Sequence, residues 1–100
     1  MTFRAQTGED GRARIEWGAG SFFVIDRLGT IAEADISPAD ICARFEAYAI
    51  MRRACGRARV EFGRGVFGPR GGDLRRRFAE RVAELANDIA ARGARTLQDT

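Results

Sequence analysis

A chain of 100 residues, 45% apolar and 31% charged, suffices for one domain with a single core and is too apolar for a disordered segment. Its formal charge is +3, all 17 basic residues are arginine, and histidine is absent. That absence removes the commonest general base, the commonest zinc ligand and the ordinary pH switch, so neither a metal nor another cofactor is expected.

Taken in chain order, residues 1–10 read as a frayed terminus, and the first six lack the apolar stretch of a secretory leader. Residues 12–17 then alternate. Ala13, Ile15 and Trp17 point one way, and Arg12, Arg14 and Glu16 the other, the period of a half-buried strand. Gly18 and Gly20 suit a tight turn, so a hairpin over 12–17 and 21–27 is predicted. Phe22 and Phe23 are consecutive, so one of them should leave the core face and stand near Arg12 and Arg14. Residues 29–36 read weakly as a further strand.

Ser37, Pro38 and Asp40 resemble a helix start, with a capping hydroxyl, a preset φ and an acid in the first turn. The first helix is expected over 38–54, with Ile41, Phe45, Tyr48 and Met51 facing the sheet and Gly56 ending it. Two cysteines on such a helix, Cys42 and Cys55, would stand about 20 Å apart, too far to bridge.

Residues 56–65, GRARVEFGRG, echo residues 11–20, GRARIEWGAG, at seven of ten positions. The same alternation predicts a second hairpin over 57–62 and 65–68, and the echo suggests a duplicated ββα unit. A second helix should begin near Asp73 and stop before Gly93, with Leu74, Phe78, Val82, Leu85 and Ile89 as its apolar face. Residues 94–100 read as a tail. The expected class is α+β: a two-layer sandwich, with an antiparallel sheet of four to five strands and two helices on one face. The paired Arg and Glu of the strands would lie on its open face.

The charge is unevenly spread. Residues 1–51 carry net −3, residues 52–77 net +7 and residues 78–100 net −1. The positive segment holds Arg52, Arg53, Arg57, Arg59, Arg64, Arg70, Arg75, Arg76 and Arg77. Missing lysine reads as coding bias, so the choice of arginine carries no weight while its placement does. Arg75–Arg77 fall in the first turn of the second helix, where the dipole disfavours cations unless acids or an anionic partner offset them. The glycine-rich stretch 63–72 before it would let backbone approach an anion.

Other motifs are weak. Residues 63–68 spell GxGxxG without the helix or the chain length of a dinucleotide fold. Residues 68–71 fit a GxxG loop without its preceding helix, and residues 70–72 are a single RGG unit. Glu80 and Glu84 mix with arginines at helical spacing, as on a solvated face. No serine or cysteine sits beside a base, so no enzyme is expected.

Two functions remain. The first is a protein-interaction module, a small regulator or inhibitor of the kind carried by phages and other mobile elements. It would present the arginine surface to an acidic partner, or the acidic first half to a basic one. The second is a nucleic-acid-binding protein holding phosphates through the Arg/Gly-rich hairpin and the start of the second helix. No apolar run reaches membrane-span length, so no membrane partner is expected. With neither a span nor a leader read, a cytoplasmic location is expected by default, in agreement with unpaired thiols, and a homodimer through the sheet face or an edge strand is left open.

Overall fold

The computed structural model describes residues 2–8, 12–18, 20–26, 29–35, 38–63 and 72–93. Four strands, β1 (Arg4–Thr7), β2 (Ala13–Trp17), β3 (Ser21–Ile25) and β4 (Ile31–Ala34), form an antiparallel meander in that spatial order. Two helices follow, α1 (Ile41–Phe62), entered through a 3₁₀ turn at Pro38–Asp40, and α2 (Gly72–Ala91). The α+β class and the helices packed against the sheet are as the sequence predicts, with four strands.

Alternation sets the sheet. Ala5 pairs with Ile15, Ile15 with Phe23, and Ala13 with Ile25, which gathers the apolar side chains on the helix-covered face. The opposite face carries Gln6, Arg14 and Val24 in one row and Arg4, Glu16 and Phe22 in another. There Arg14 Nε donates to Glu16 Oε1 at 2.7 Å, and the Arg14 guanidinium lies 3.9 Å from the centre of the Phe22 ring. Phe23 takes the inward position, stacked on Trp17 at 4.8 Å. The predicted first hairpin therefore forms, turning at Gly18 (φ 59°) and Gly20 (φ 94°), values that favour glycine.

Within the N-terminal segment, residues Arg4–Thr7 form strand β1. Phe3 is buried against Trp17 at 5.8 Å, its N–H donates to Asn87 Oδ1 at 2.7 Å, and Asn87 Nδ2 donates back to its carbonyl at 3.2 Å. One apolar anchor and a reciprocal amide pair hold β1 to α2. The expected tail at 94–100 lies outside the described residues, as does Ser37.

The largest correction concerns residues 56–62. They continue α1 through Gly56 to Phe62, and Gly63 (φ 83°) ends the helix with its N–H donating to the Arg59 carbonyl at 2.8 Å. The second hairpin is therefore not formed over 57–62, and the two echoes do not build a repeated ββα unit among the described residues. The partner segment 65–68 lies outside them. Met51, Ala54, Cys55, Ala58 and Phe62 recur at helical spacing, and the first four are buried. Arg, Ala and Glu are good helix formers, so extending an existing helix over 57–62 needs no new nucleus. Gly56 in its middle disfavours the helix by about 1 kcal/mol against alanine, and the packed face outweighs it.

A second correction concerns the face of α1. Met51 is fully buried and Tyr48 meets Phe23 edge-on at 4.8 Å, as expected, but Ile41 is 56% exposed and Phe45 55%. The face turned inward is built largely from Ala47, Ile50, Met51, Ala54, Cys55 and Ala58. Alanines carry little hydrophobic contrast, so the larger side chains misplace the stripe. On α2 the predicted face holds: Phe78, Val82, Leu85 and Ile89 are buried and Leu74 is half-buried. Small residues at Ala54, Ala58, Ala79, Ala83 and Ala86 let the two helices approach closely.

Candidate functional site

Because α1 extends to Phe62, it presents one continuous outer face. The large apolar side chains exposed among the described residues all belong to it: Ile41, Phe45 and Val60, the last 85% exposed. At about 100° per residue, Ile41, Phe45, Arg52, Gly56 and Val60 fall within a band roughly 100° wide. Along its first half runs an open cleft of about 320 Å³ walled by Phe23, Ile41, Phe45 and Tyr48, with Asp35, Arg44 and Arg52 also lining it. Arg44 is held there by Asp35 at 2.9 Å and, more loosely, Asp40 at 3.9 Å, and it also donates to the Asp35 carbonyl.

The arginines singled out in the sequence divide by partner. Arg52, Arg53, Arg57 and Arg59 lie on α1, and Arg75, Arg76 and Arg77 in the first turns of α2. Arg64 and Arg70 lie outside the described residues. Phe62 meets Phe78 edge-on at 5.6 Å and Glu61 pairs with Arg81, so the end of α1 and the start of α2 share one end of the helix layer. That end gathers Arg57, Arg59 and Arg75–Arg77. The grouping expected from a strand is lost, because Arg57 and Arg59 stand about 200° apart around a helix.

Arg76 is paired with Asp73 at 2.6 Å, which offsets one cation at the unfavourable helix end, and Arg75 is half-buried. Arg52, Arg53, Arg57, Arg59 and Arg77 have no carboxylate within salt-bridge reach among the described residues. Four of these five belong to α1, and the outer half of that helix is therefore cationic as well as partly apolar.

Two ionisable groups flank the face. Glu61 accepts from Arg81 through both oxygens, at 2.8 and 2.9 Å, and this hydrogen-bonded pairing holds its carboxyl below the usual range. Burial pushes the Cys55 thiol up to about 12, against the pull of Arg59 and with a smaller push from Asp26. A thiol so shifted is a core side chain, not a nucleophile. Cys42 is exposed on α1. No cluster of three His, Cys, Asp or Glu is placed to hold a metal among the described residues. No described helix is long and apolar enough to cross a membrane.

Sequence reasoning missed Ile41, Phe45 and Val60 as surface residues. The signal was available only by carrying the helical wheel across Gly56. With 57–62 read as helix, Met51, Ala54 and Ala58 share the inner face, and these three large side chains are left outside it. No family model matches the chain, and neither a curated protein nor a solved structure matches it.

Proposed function

We propose that the chain is a non-enzymatic interaction module, working in the cytoplasm, that binds a protein surface combining acidic charge with an apolar patch. A small regulator or inhibitor of the kind carried by mobile elements acts in this way, by occupying a surface. The observation that carries the reading is the coincidence, on the outer half of α1, of exposed Ile41, Phe45 and Val60 with Arg52, Arg53, Arg57 and Arg59, which have no carboxylate within salt-bridge reach among the described residues. Aromatic side chains such as Phe45 are enriched at protein interfaces. A phosphate backbone would engage the arginines but would leave the apolar members of the same face without a partner.

The test is a pulldown from native lysate, with and without nuclease, comparing wild type with an Arg52→Glu, Arg53→Glu double variant. Protein retained after nuclease treatment and lost in the variant supports the reading. Retention that disappears with nuclease, together with affinity for a random-sequence duplex falling linearly in log–log form with salt, would replace it by nucleic-acid binding.

A further inference from the structure

We propose that a surface of this chemistry lies on the chain itself, and that the outer face of α1 pairs antiparallel with the same face of a second copy. This rests on reading that face as an interaction surface and names its partner.

Charge gives the direction. Arg44 is held by Asp35 and Asp40, which precede α1, so Glu46 is the one acid of the helix's first half, whereas residues 52–62 carry Arg52, Arg53, Arg57 and Arg59 against Glu61, net +3. Two copies of α1 laid parallel set like charge over like. Laid antiparallel, the basic half of each copy covers the Glu46 end of the other, and two-fold symmetry repeats every contact.

Shape gives the register. A two-fold axis between Ile50 and Met51 places Ile41 opposite Val60 of the second copy, so two exposed apolar side chains cover each other. The same axis places Phe45 opposite Gly56 of the second copy. Among the described residues, a Cβ built on Gly56 would meet no atom within 4 Å beyond its chain neighbours and its own helix backbone, so the glycine leaves a notch in this face that a ring can enter. Gly56 has no positive φ, so its backbone does not require glycine. In this register Glu46 lies within one turn of Arg52 and Arg53 of the second copy. Arg52 and Arg53, the exposed apolar side chains and the notch at Gly56 are thus accounted for by one arrangement.

The test is sedimentation velocity over a concentration series at low ionic strength, with circular dichroism confirming that each variant folds. Wild type is expected to form a concentration-dependent dimer. Glu46→Arg alone, and Arg52→Glu with Arg53→Glu, are each expected to weaken it at least tenfold. An equimolar mixture of the two variants is expected to restore the dimer, because reversed charges then face each other across both halves of the seam. The single variants set the direction: in a parallel pair Glu46 would face Glu46 before the change, and reversal would leave the repulsion as it was.

A wild type that stays monomeric throughout, single variants that dimerise as wild type does, or a mixture that stays monomeric would each overturn self-pairing. A nuclease-resistant pulldown partner that depends on Arg52 and Arg53 would then leave the interaction reading standing with a different partner. Loss of both results would remove both.

Discussion

The decapeptides 11–20 and 56–65 share seven residues, yet Ala13–Trp17 of the first is strand β2 and the second carries α1 to its end at Phe62. Ile15 is fully buried, and its counterpart Val60 is 85% exposed. Trp17 lies between Phe3, to which it is tilted, and Phe23, on which it stacks, while Phe62 leans edge-on against Phe78 from a half-buried position. The difference lies in what precedes and follows each copy. The first ends in a turn with Gly18 and Gly20 at positive φ and has strands on both sides. The second follows a helix already fifteen residues long, and propagation by one residue is far easier than a new nucleus. Six residues of alternation are compatible with either state, and the neighbours decide.

The comparison is broken most directly at its centre. Ile15→Ala removes a fully buried side chain and should destabilise the fold by about 2–5 kcal/mol. Val60→Ala should change stability by no more than about 0.5 kcal/mol. Urea unfolding at low protein concentration, where self-pairing does not contribute, measures both. Similar losses at the two positions would mean that Val60 is buried, as the strand reading requires, and that α1 does not extend to Phe62.

The same contrast shows what the sequence could reveal. The β2–β3 hairpin and α2 were legible because large apolar residues stand at their inward positions, and because Gly18, Gly20 and Gly93 punctuate them. The outward Phe22 and inward Phe23 followed from strand geometry alone. The inner face of α1 was obscured because alanines at 47, 54 and 58 give little contrast, so Ile41 and Phe45 dominated the pattern. Gly56 read as a stop although its cost is smaller than the packing it interrupts. β1 was hidden in a polar segment whose order depends on Phe3 reaching Asn87, a contact between residues 84 apart in the chain. For the arginines, the sequence located the charge, but which of them find acids depends on a helical hairpin that the strand reading had removed.

Glycine substitutions sharpen the comparison with effects of opposite sign. Gly20→Ala forces a side chain into φ 94° in the β2–β3 turn and should destabilise by about 1–2 kcal/mol. Gly56→Ala adds a methyl group to open space in a helix and should stabilise by up to about 1 kcal/mol. Thermal unfolding of the two variants beside wild type tests this. If Gly56→Ala instead destabilises, the helix does not run through that position with ordinary backbone angles. The added methyl also occupies the place assigned to Phe45 of a second copy, so a gain in stability should come with a loss of self-association.

The smallest expected effect lies at the acidic residue common to the two copies. Glu16 pairs with Arg14, two residues away on its own strand. Glu61 pairs with Arg81 on α2, so it ties the end of one helix to the other. The Arg81 hydrogen bonds lower the Glu61 pKa in the folded chain. A carboxyl lowered in this way stabilises the fold at pH values above its unfolded pKa, near 4.5, and the contribution is lost as pH falls through the folded value. Both partners are partly exposed, so solvent and salt keep the effect small. Glu61→Gln should therefore lower the urea midpoint slightly at neutral pH and converge with wild type in acid. Glu16→Gln breaks a pairing within one strand and should leave the docking of α1 on α2 unchanged, as read from the Phe62 and Phe78 ring resonances. A Glu61→Gln variant that matched wild type at every pH while shifting no resonance of Phe62 or Phe78 would separate the end of α1 from α2. The second decapeptide would then be a helix end held only by its own backbone.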